Sequence, residues 1–284
     1  MWNEEATMPR LFDVHFHAER YPPAEWNRIL LRAQEAGLRQ MIASGMDLGT
    51  SRQAVERAHS SPLVWASVGM HPWIAAKGLP SGWIEDCEEL ARDCKVVAIG
   101  EIGLDFVDDC AGTSFAVPSF RQMQEEAFRR QVQWAVSKRM PMIVHARGAY
   151  SRVISILKEE NGARAGGVVH NFDGFPDEAD ALWALGFFVS FGGALTYPQA
   201  TSLQETACVV PLDRILLETD APYMPLDQQE TVDNEPANVR RIAQVLAQRR
   251  GETFERVTEA TYQNFRCLFS RIRDDEQGVG NRRC

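Results

Sequence analysis

The chain has 284 residues, 45% of them from the set AVILMFWYC and 24% charged, a balance that supplies an ample core and excludes a disordered, collagenous or fibrous polypeptide. Thirty Lys and Arg against thirty-nine Asp and Glu leave a formal net charge of -9. That excludes a protein coating nucleic acid with its whole surface, while leaving open a nucleic-acid site whose sign is reversed by bound cations.

Eight short runs rich in Val, Ile and Phe recur along the chain, each followed by a segment with helical spacing. The predicted strands are Leu11–His17, Met41–Gly45, Val64–His71, Val96–Glu101, Met142–His145, Gly167–Phe172, Phe187–Gly192 and Ile215–Asp220. Predicted helices include Ala24–Ala36, Ser51–His59, Gly82–Asp93, Phe120–Arg139, Tyr150–Glu160, Asp177–Leu185 and Pro198–Thr206, with two more at about Asn238–Arg250 and Phe254–Arg273. Repeated βα units of this kind make a parallel sheet. Eight of them in roughly 220 residues predict an α/β fold of one closed (β/α)8 TIM barrel with extra C-terminal helices. An open doubly wound sheet would want a Gly-rich phosphate turn after its first strand, where His15-Phe16-His17 stands instead.

No shift in composition divides the chain, so one domain is expected over residues 10–273, with a frayed polar tail at 274–284. The stretch Phe106–Pro118 is long for a βα connection and reads as a loop over the substrate. No apolar run approaches the roughly 18 residues of a membrane span. The start Met1-Trp2-Asn3-Glu4-Glu5 lacks a basic region followed by an apolar core, and a cytoplasmic protein with no membrane partner is expected. The six cysteines, Cys87, Cys94, Cys110, Cys208, Cys267 and Cys284, contain no Cys-x-x-Cys pair and read as reduced thiols.

Only six histidines are present, and five close a predicted strand: His15, His17, His71, His145 and His170. In a barrel the C-terminal strand ends share one mouth, so these five are expected to converge. His59, in a polar helical segment, reads as a surface residue. On the first strand, period-two alternation places Asp13, His15 and His17 on one face and Phe12, Val14 and Phe16 on the other. The apolar face is expected to pack on helices. The two imidazoles then aim inward, spaced to share one divalent ion, with Asp13 deeper as a supporting residue.

Glu101 stands in the apolar run Ala98-Ile99-Gly100-Glu101-Ile102-Gly103-Leu104-Asp105, where an unpaired carboxylate would be costly, so it calls for a cation. Asp220 closes the eighth strand, placed to bind a metal and take a proton from water, and Glu218 lies one step deeper as a supporting group. Sorted by position, one ion falls to His15, His17, Glu101 and Asp220, and a second to Glu101, His145 and His170. Such mixed nitrogen and oxygen sets suit zinc, manganese or a similar cation, and magnesium less comfortably. His71 and Arg147 remain over and suit an anionic substrate, Arg147 by gripping a phosphate with two N–H groups.

These residues resemble the TatD-type family of metal-dependent deoxyribonucleases, within the amidohydrolase-like barrel superfamily. The likeness runs from Leu11 to Phe269. It rests on Asp13-Val14-His15-Phe16-His17, Gly69-Met70-His71-Pro72, Gly100-Glu101-Ile102-Gly103-Leu104-Asp105, His145-Ala146-Arg147, His170-Asn171-Phe172-Asp173-Gly174, Glu218-Thr219-Asp220-Ala221-Pro222-Tyr223 and Asn234-Glu235-Pro236. It implies two or three divalent cations and phosphodiester hydrolysis by a metal-activated hydroxide, often as a 3′-to-5′ exonuclease on single-stranded DNA. It also implies metal ligands at His15, His17, Glu101, His145, His170 and Asp220, and a phosphate contact at His71. The family commonly has a cysteine and then a hydroxyl residue where this chain has His170-Asn171-Phe172-Asp173, and an acidic Asp173 at the mouth would repel a phosphate backbone.

The expected mechanism gives Asp220 the general-base role, Glu101 the bridge between ions, and His71 and Arg147 the charge on the non-bridging oxygens. Trp73, Phe172 and Tyr223 are candidates to stack on a splayed base. The same ions would polarise the carbonyl of a carboxyl ester or amide, so a deacylase-like activity is the alternative enzyme. A metal-stabilised interaction module without catalysis is the alternative outside enzymes.

Overall fold

In a computed structural model, residues 9–107, 117–228 and 234–272 are described. The core of the predicted covering loop, 108–116, and the tail 274–284 lie outside them. The strands are β1 (Leu11–Phe16), β2 (Leu38–Ser44), β3 (Val64–Val68), β4 (Val96–Asp105), β5 (Met142–Arg147), β6 (Gly167–Val169), β7 (Phe187–Phe191) and β8 (Ile215–Leu217). They form one eight-stranded sheet in the order β1 to β8 with parallel neighbours. The Asp220 N–H donates to the His15 carbonyl at 2.9 Å and the His17 N–H to the Ala221 carbonyl at 2.7 Å, which brings the end of β8 onto β1. This is the expected (β/α)8 barrel.

The helices are α1 (Pro23–Glu35), α2 (Leu48–His59), α3 (Pro72–Ala75), α4 (Trp83–Leu90), α5 (Pro118–Lys138), α6 (Tyr150–Glu159), α7 (Pro176–Trp183), α8 (Thr201–Val209), α9 (Val239–Arg250) and α10 (Phe254–Leu268). Proline opens α1, α3, α5 and α7, where its fixed φ suits the first turn and its missing N–H is no loss. A capping box closes the start of α2: the Thr50 N–H donates to Asp47 Oδ1 at 2.7 Å, and the Asp47 N–H to Thr50 Oγ1 at 2.9 Å. The outward face of β1 packs as its alternation predicts. Phe12 stacks on Phe265 of α10 with ring centroids 4.6 Å apart, and Phe16 lies 6.3 Å from Trp26 of α1.

Three differences from expectation bear on the site. β4 continues past Glu101 to Asp105, because its register with β5 holds as far as Asp105 opposite Arg147. β6 and β8 are shorter, so His170 and Asp220 stand just beyond their strands. The segment after β3 turns into α3 with His71 as its N-cap. Cys94 is disulfide-bonded, against the expectation of reduced thiols, since spacing along a chain does not say which sulfurs meet in space. Cys87, Cys208 and Cys267 are free. Among the described residues, no helix is long and apolar enough to cross a membrane.

Candidate metal centre

Glu101 is the hub. It is buried on β4, and its two oxygens divide the surrounding imidazoles. Oε1 lies 2.9 Å from His145 Nδ1, 2.9 Å from His170 Nε2 and 3.2 Å from His71 Nε2. Oε2 lies 3.5 Å from His15 Nε2 and 3.9 Å from His17 Nε2. Asp220 completes that second side, with Oδ1 3.4 Å from His15 Nε2 and 3.3 Å from His17 Nε2. Glycine permits this crowding: at Gly103, φ is +142° and an added Cβ would stand 2.0 Å from the His145 carbonyl oxygen. Asp220 itself sits in the left-handed region at φ +56°, a conformation that Asp tolerates better than most residues. The Tyr223 N–H closes the turn on the Asp220 carbonyl at 2.9 Å.

Electrostatics bind the cluster together. Burial alone would raise the Glu101 carboxyl, but His71, His170 and His15 hold it well below the ordinary range. Burial likewise opposes charge on Asp220, and hydrogen bonds from His15 and His17 outweigh it and pull the carboxyl down. Burial works against protonation of His17, His145 and His170, yet Asp220 for the first, Asp105 and Glu101 for the second, and Glu101 and Glu218 for the third raise all three. His15 is lowered and His71 pushed down to about 4, burial being the leading cause for both. Surroundings that draw protons so strongly between two carboxylates also favour divalent cations, which compete for the same lone pairs.

The donor set fits such ions. His15 Nε2 and His17 Nε2 are 3.3 Å apart, and each lies 3.3 to 3.9 Å from Glu101 Oε2 and Asp220 Oδ1. Four donors placed about 2.1 Å from a shared centre lie roughly 3.4 Å apart. Glu101 Oε2 is moreover buried without a hydrogen-bond partner, the condition of an oxygen that awaits a cation. On the other side, Glu101 Oε1, His145 Nδ1 and His170 Nε2 are separated by 2.9 to 3.2 Å. His71, placed outside the ligand set by sequence reasoning, reaches the same oxygen, and His71, Glu101 and His145 form one of three overlapping groups whose ligand atoms lie within 4.8 Å of one another. Nothing in the spacing of Gly69-Met70-His71 reveals this, because the turn into α3 decides it.

Supporting residues hold the imidazoles in place. Glu218 meets His170 Nδ1 at 3.3 Å and Ser44 Oγ meets His15 Nδ1 at 3.0 Å. Asp13 accepts from the Thr219 N–H at 3.0 Å, and from the Thr219 hydroxyl, so it ties β1 to the segment carrying Asp220. Both Asp13 and Glu218 thus do what their depth on the strands predicts. Sequence reasoning assigned no role to Asp105. Its Oδ2 lies 3.1 Å from His145 Nε2, accepts from Trp73 Nε1 at 2.9 Å and stands 3.9 Å from Arg147. Its four-residue offset from Glu101, which puts both on one face of a strand, was the available signal. Glu19 and Ser44 were also unforeseen.

The cluster floors a cavity of about 570 Å³ whose walls include Met46, Trp73, Arg147, Asn171, Asp173, Tyr223 and Met224. Arg147 is 45% exposed there. Asp173 is exposed, and the Tyr150 hydroxyl donates to its Oδ1 at 2.7 Å. Phe172 corrects an expectation. It is buried against Tyr150 and Phe191 because its N–H bonds the Ser190 carbonyl and turns the ring into the wall. Trp73 and Tyr223 remain as aromatics at the mouth, and His59 pairs on the surface with Asp93.

Comparison with known proteins shows the family. The family model described as TatD related DNase matches residues 12–270. A Bacillus subtilis protein described as the uncharacterized metal-dependent hydrolase YabD is 33% identical over 261 residues, covering 91% of this chain and 98% of its own length. The Edwardsiella piscicida protein named 3'-5' ssDNA/RNA exonuclease TatD is 35% identical over 252 residues, 85% of this chain and 92% of its own. Among solved structures, that of YjjV, a TatD homologue from Escherichia coli K12, matches with TM-score 0.83 at 30% identity across 92% of this chain and 98% of that one. The chain therefore belongs to the TatD related DNase family and is a metal-dependent hydrolase.

Proposed function

We propose that the protein is a deoxyribonuclease that removes nucleotides from single-stranded DNA in the 3′-to-5′ direction. The observation that carries this reading is the division of one buried carboxylate, Glu101, between two donor sets at the floor of an aromatic-walled cavity. His15, His17, Glu101 and Asp220 would hold one divalent ion and Glu101, His145 and His170 a second, whether zinc, manganese or magnesium. Bound there, the ions supply Lewis-acid polarisation of the phosphodiester and neutralise its charge.

The chain's own groups do the rest. Asp220, held as a carboxylate, accepts the proton of the attacking water. His71 is neutral because burial pushes it down to about 4. Its Nδ1 accepts the Trp73 N–H at 3.1 Å, which leaves the proton on Nε2, where it faces Glu101 Oε1 at 3.2 Å and would turn to a phosphoryl oxygen once an ion takes that carboxylate oxygen. Arg147, exposed at the rim, offers a fork of N–H donors to the next phosphate. Trp73 and Tyr223 offer ring faces to bases, a contact that does not depend on sequence. The support from relatives is that some bear the name of a single-strand exonuclease at about a third identity.

A second reading, hydrolysis of a carboxyl ester or amide, is favoured by one observation: the exposed Asp173 carboxylate fixed at the mouth by Tyr150 opposes a polyphosphate chain. End-labelled single-stranded oligonucleotides and a panel of carboxyl esters and amides, each with manganese, magnesium, zinc or chelator, separate the two. The nuclease reading expects metal-dependent shortening from the 3′ end that His145→Ala abolishes. Hydrolysis of esters with intact oligonucleotides refutes it.

A further inference from the structure

The imidazoles of the cluster each turn one nitrogen to the shared centre and the other outward, and four outward nitrogens have a partner. Ser44 Oγ serves His15 Nδ1 at 3.0 Å, the Trp73 N–H serves His71 Nδ1 at 3.1 Å, Asp105 serves His145 Nε2 at 3.1 Å, and Glu218 serves His170 Nδ1 at 3.3 Å. His17 is the exception. Its Nδ1 is buried with no hydrogen-bond partner, and both carboxylate oxygens of Glu19 are buried in the same condition. These partnerless atoms face each other: Glu19 Oε1 lies 3.7 Å from His17 Nδ1, with the Glu19 side chain only 7% exposed. Arg20 Nε is no substitute, at 3.6 Å from the same oxygen on a side chain that is 53% exposed, with its guanidinium lying over the Tyr223 ring.

A buried carboxylate that accepts no hydrogen bond is left with its desolvation uncompensated. Glu19 sits in the 3-10 turn Ala18–Arg20, directly after β1, so its distance from His17 is set by two residues of backbone. A shift of well under an ångström closes the gap to hydrogen-bond length. We propose that Glu19 is a positioning residue: it accepts the Nδ1–H of His17 when Nε2 of that ring binds a divalent ion, and so fixes the ring's tautomer and orientation. A ligating histidine whose second nitrogen donates to a carboxylate is a more basic and better aligned ligand. This inference rests on the metal reading of the site, and on the two sets of partnerless atoms rather than on any property of the substrate.

The test is metal affinity, measured by competition with a chromophoric chelator for zinc and for manganese in the full-length wild type, Glu19→Ala and Glu19→Gln. Glu19→Ala is expected to bind roughly 10- to 100-fold more weakly, the usual cost of losing such a partner. Glu19→Gln keeps a carbonyl acceptor and is expected to recover most of that loss. Melting of the chelated proteins guards against a merely structural role: Glu19→Ala removes a buried carboxylate that accepts no hydrogen bond and should melt no lower than wild type. In the zinc-loaded protein, nitrogen-edited spectra should show a protonated Nδ1 on His17 in wild type and Glu19→Gln, and its loss or rapid exchange in Glu19→Ala. Unchanged affinity in Glu19→Ala, or equal weakening in both variants with a lowered melting point, overturns the proposal while leaving the metal centre standing. Failure of the wild type to take up either metal overturns both.

Discussion

Gly103 couples the fold to the site most tightly, and replacing it by alanine should damage both. The added Cβ would stand 2.0 Å from the His145 carbonyl oxygen and 2.9 Å from that residue's carbonyl carbon and nitrogen. Ordinary contacts begin near 3.4 Å, so β4 and β5 must part by well over an ångström at the point where Gly103 stands opposite His145. The φ of +142° is itself costly for alanine, about 1–3 kcal/mol, and overpacking between backbones adds about 1–3 kcal/mol. At roughly 2–4 °C per kcal/mol for a chain of this size, the melting point should fall by roughly 5–20 °C. Displacement of His145 by about an ångström should lower turnover by roughly 100-fold. Gly251→Ala is the control. It also has positive φ, +65°, but nothing lies within 4 Å of its added Cβ, so it should cost only about 1 kcal/mol and leave turnover alone. Differential scanning calorimetry and single-turnover hydrolysis of labelled substrate give both numbers. A Gly103→Ala protein that melts and turns over like Gly251→Ala would refute the reasoning.

Metal removal should be visible without substrate: chelation should lower the melting point, and zinc or manganese should restore it in proportion to affinity. The pH dependence of that affinity has a definite sign. His17, His145 and His170 are held above the ordinary imidazole range and must shed protons to ligate, so binding should tighten more than tenfold between pH 6 and 8 with release of protons; affinity independent of pH over this range would contradict the ligand assignment. Of the three aromatics expected at the mouth, Phe172 and Tyr223 should behave differently. Phe172→Ala opens a buried site and should cost about 3–5 kcal/mol, whereas Tyr223→Ala, at a residue 40% exposed, should leave stability nearly unchanged and raise KM for single-stranded DNA roughly tenfold. Equal melting points for the two would sink that distinction.

What the sequence makes legible here depends on whether a residue's environment is repeated along the chain or made by a turn. The alternation in Leu11–Phe16 predicts the inward His15 and outward Phe12 and Phe16, because strand geometry has period two. Glu101 declares itself because a carboxylate inside an apolar strand needs a reason. The eight-strand rhythm yields the barrel for the same cause. His71 was seen at the mouth but not as a neighbour of Glu101 Oε1, since the bend from β3 into α3 sets its direction. Asp105 was hidden by an early end to β4, which cross-strand pairing with β5 prolongs. Phe172 reads as an aromatic at the mouth because it closes the predicted sixth strand, yet one backbone hydrogen bond to β7 turns it inward. Glu19, in the polar run Ala18-Glu19-Arg20, looks like any solvated glutamate until the turn after β1 folds it beneath His17.

The account's central claim is that one carboxylate joins the two halves of a metal centre, and the most direct measurement is the number of ions bound per chain, by native mass spectrometry with elemental analysis, in wild type and Glu101→Ala. The wild type should bind about two divalent ions, and Glu101→Ala, which removes an oxygen from each donor set, should hold fewer than one and lose hydrolysis with it. A Glu101→Ala protein that keeps both ions and its full rate would contradict the account.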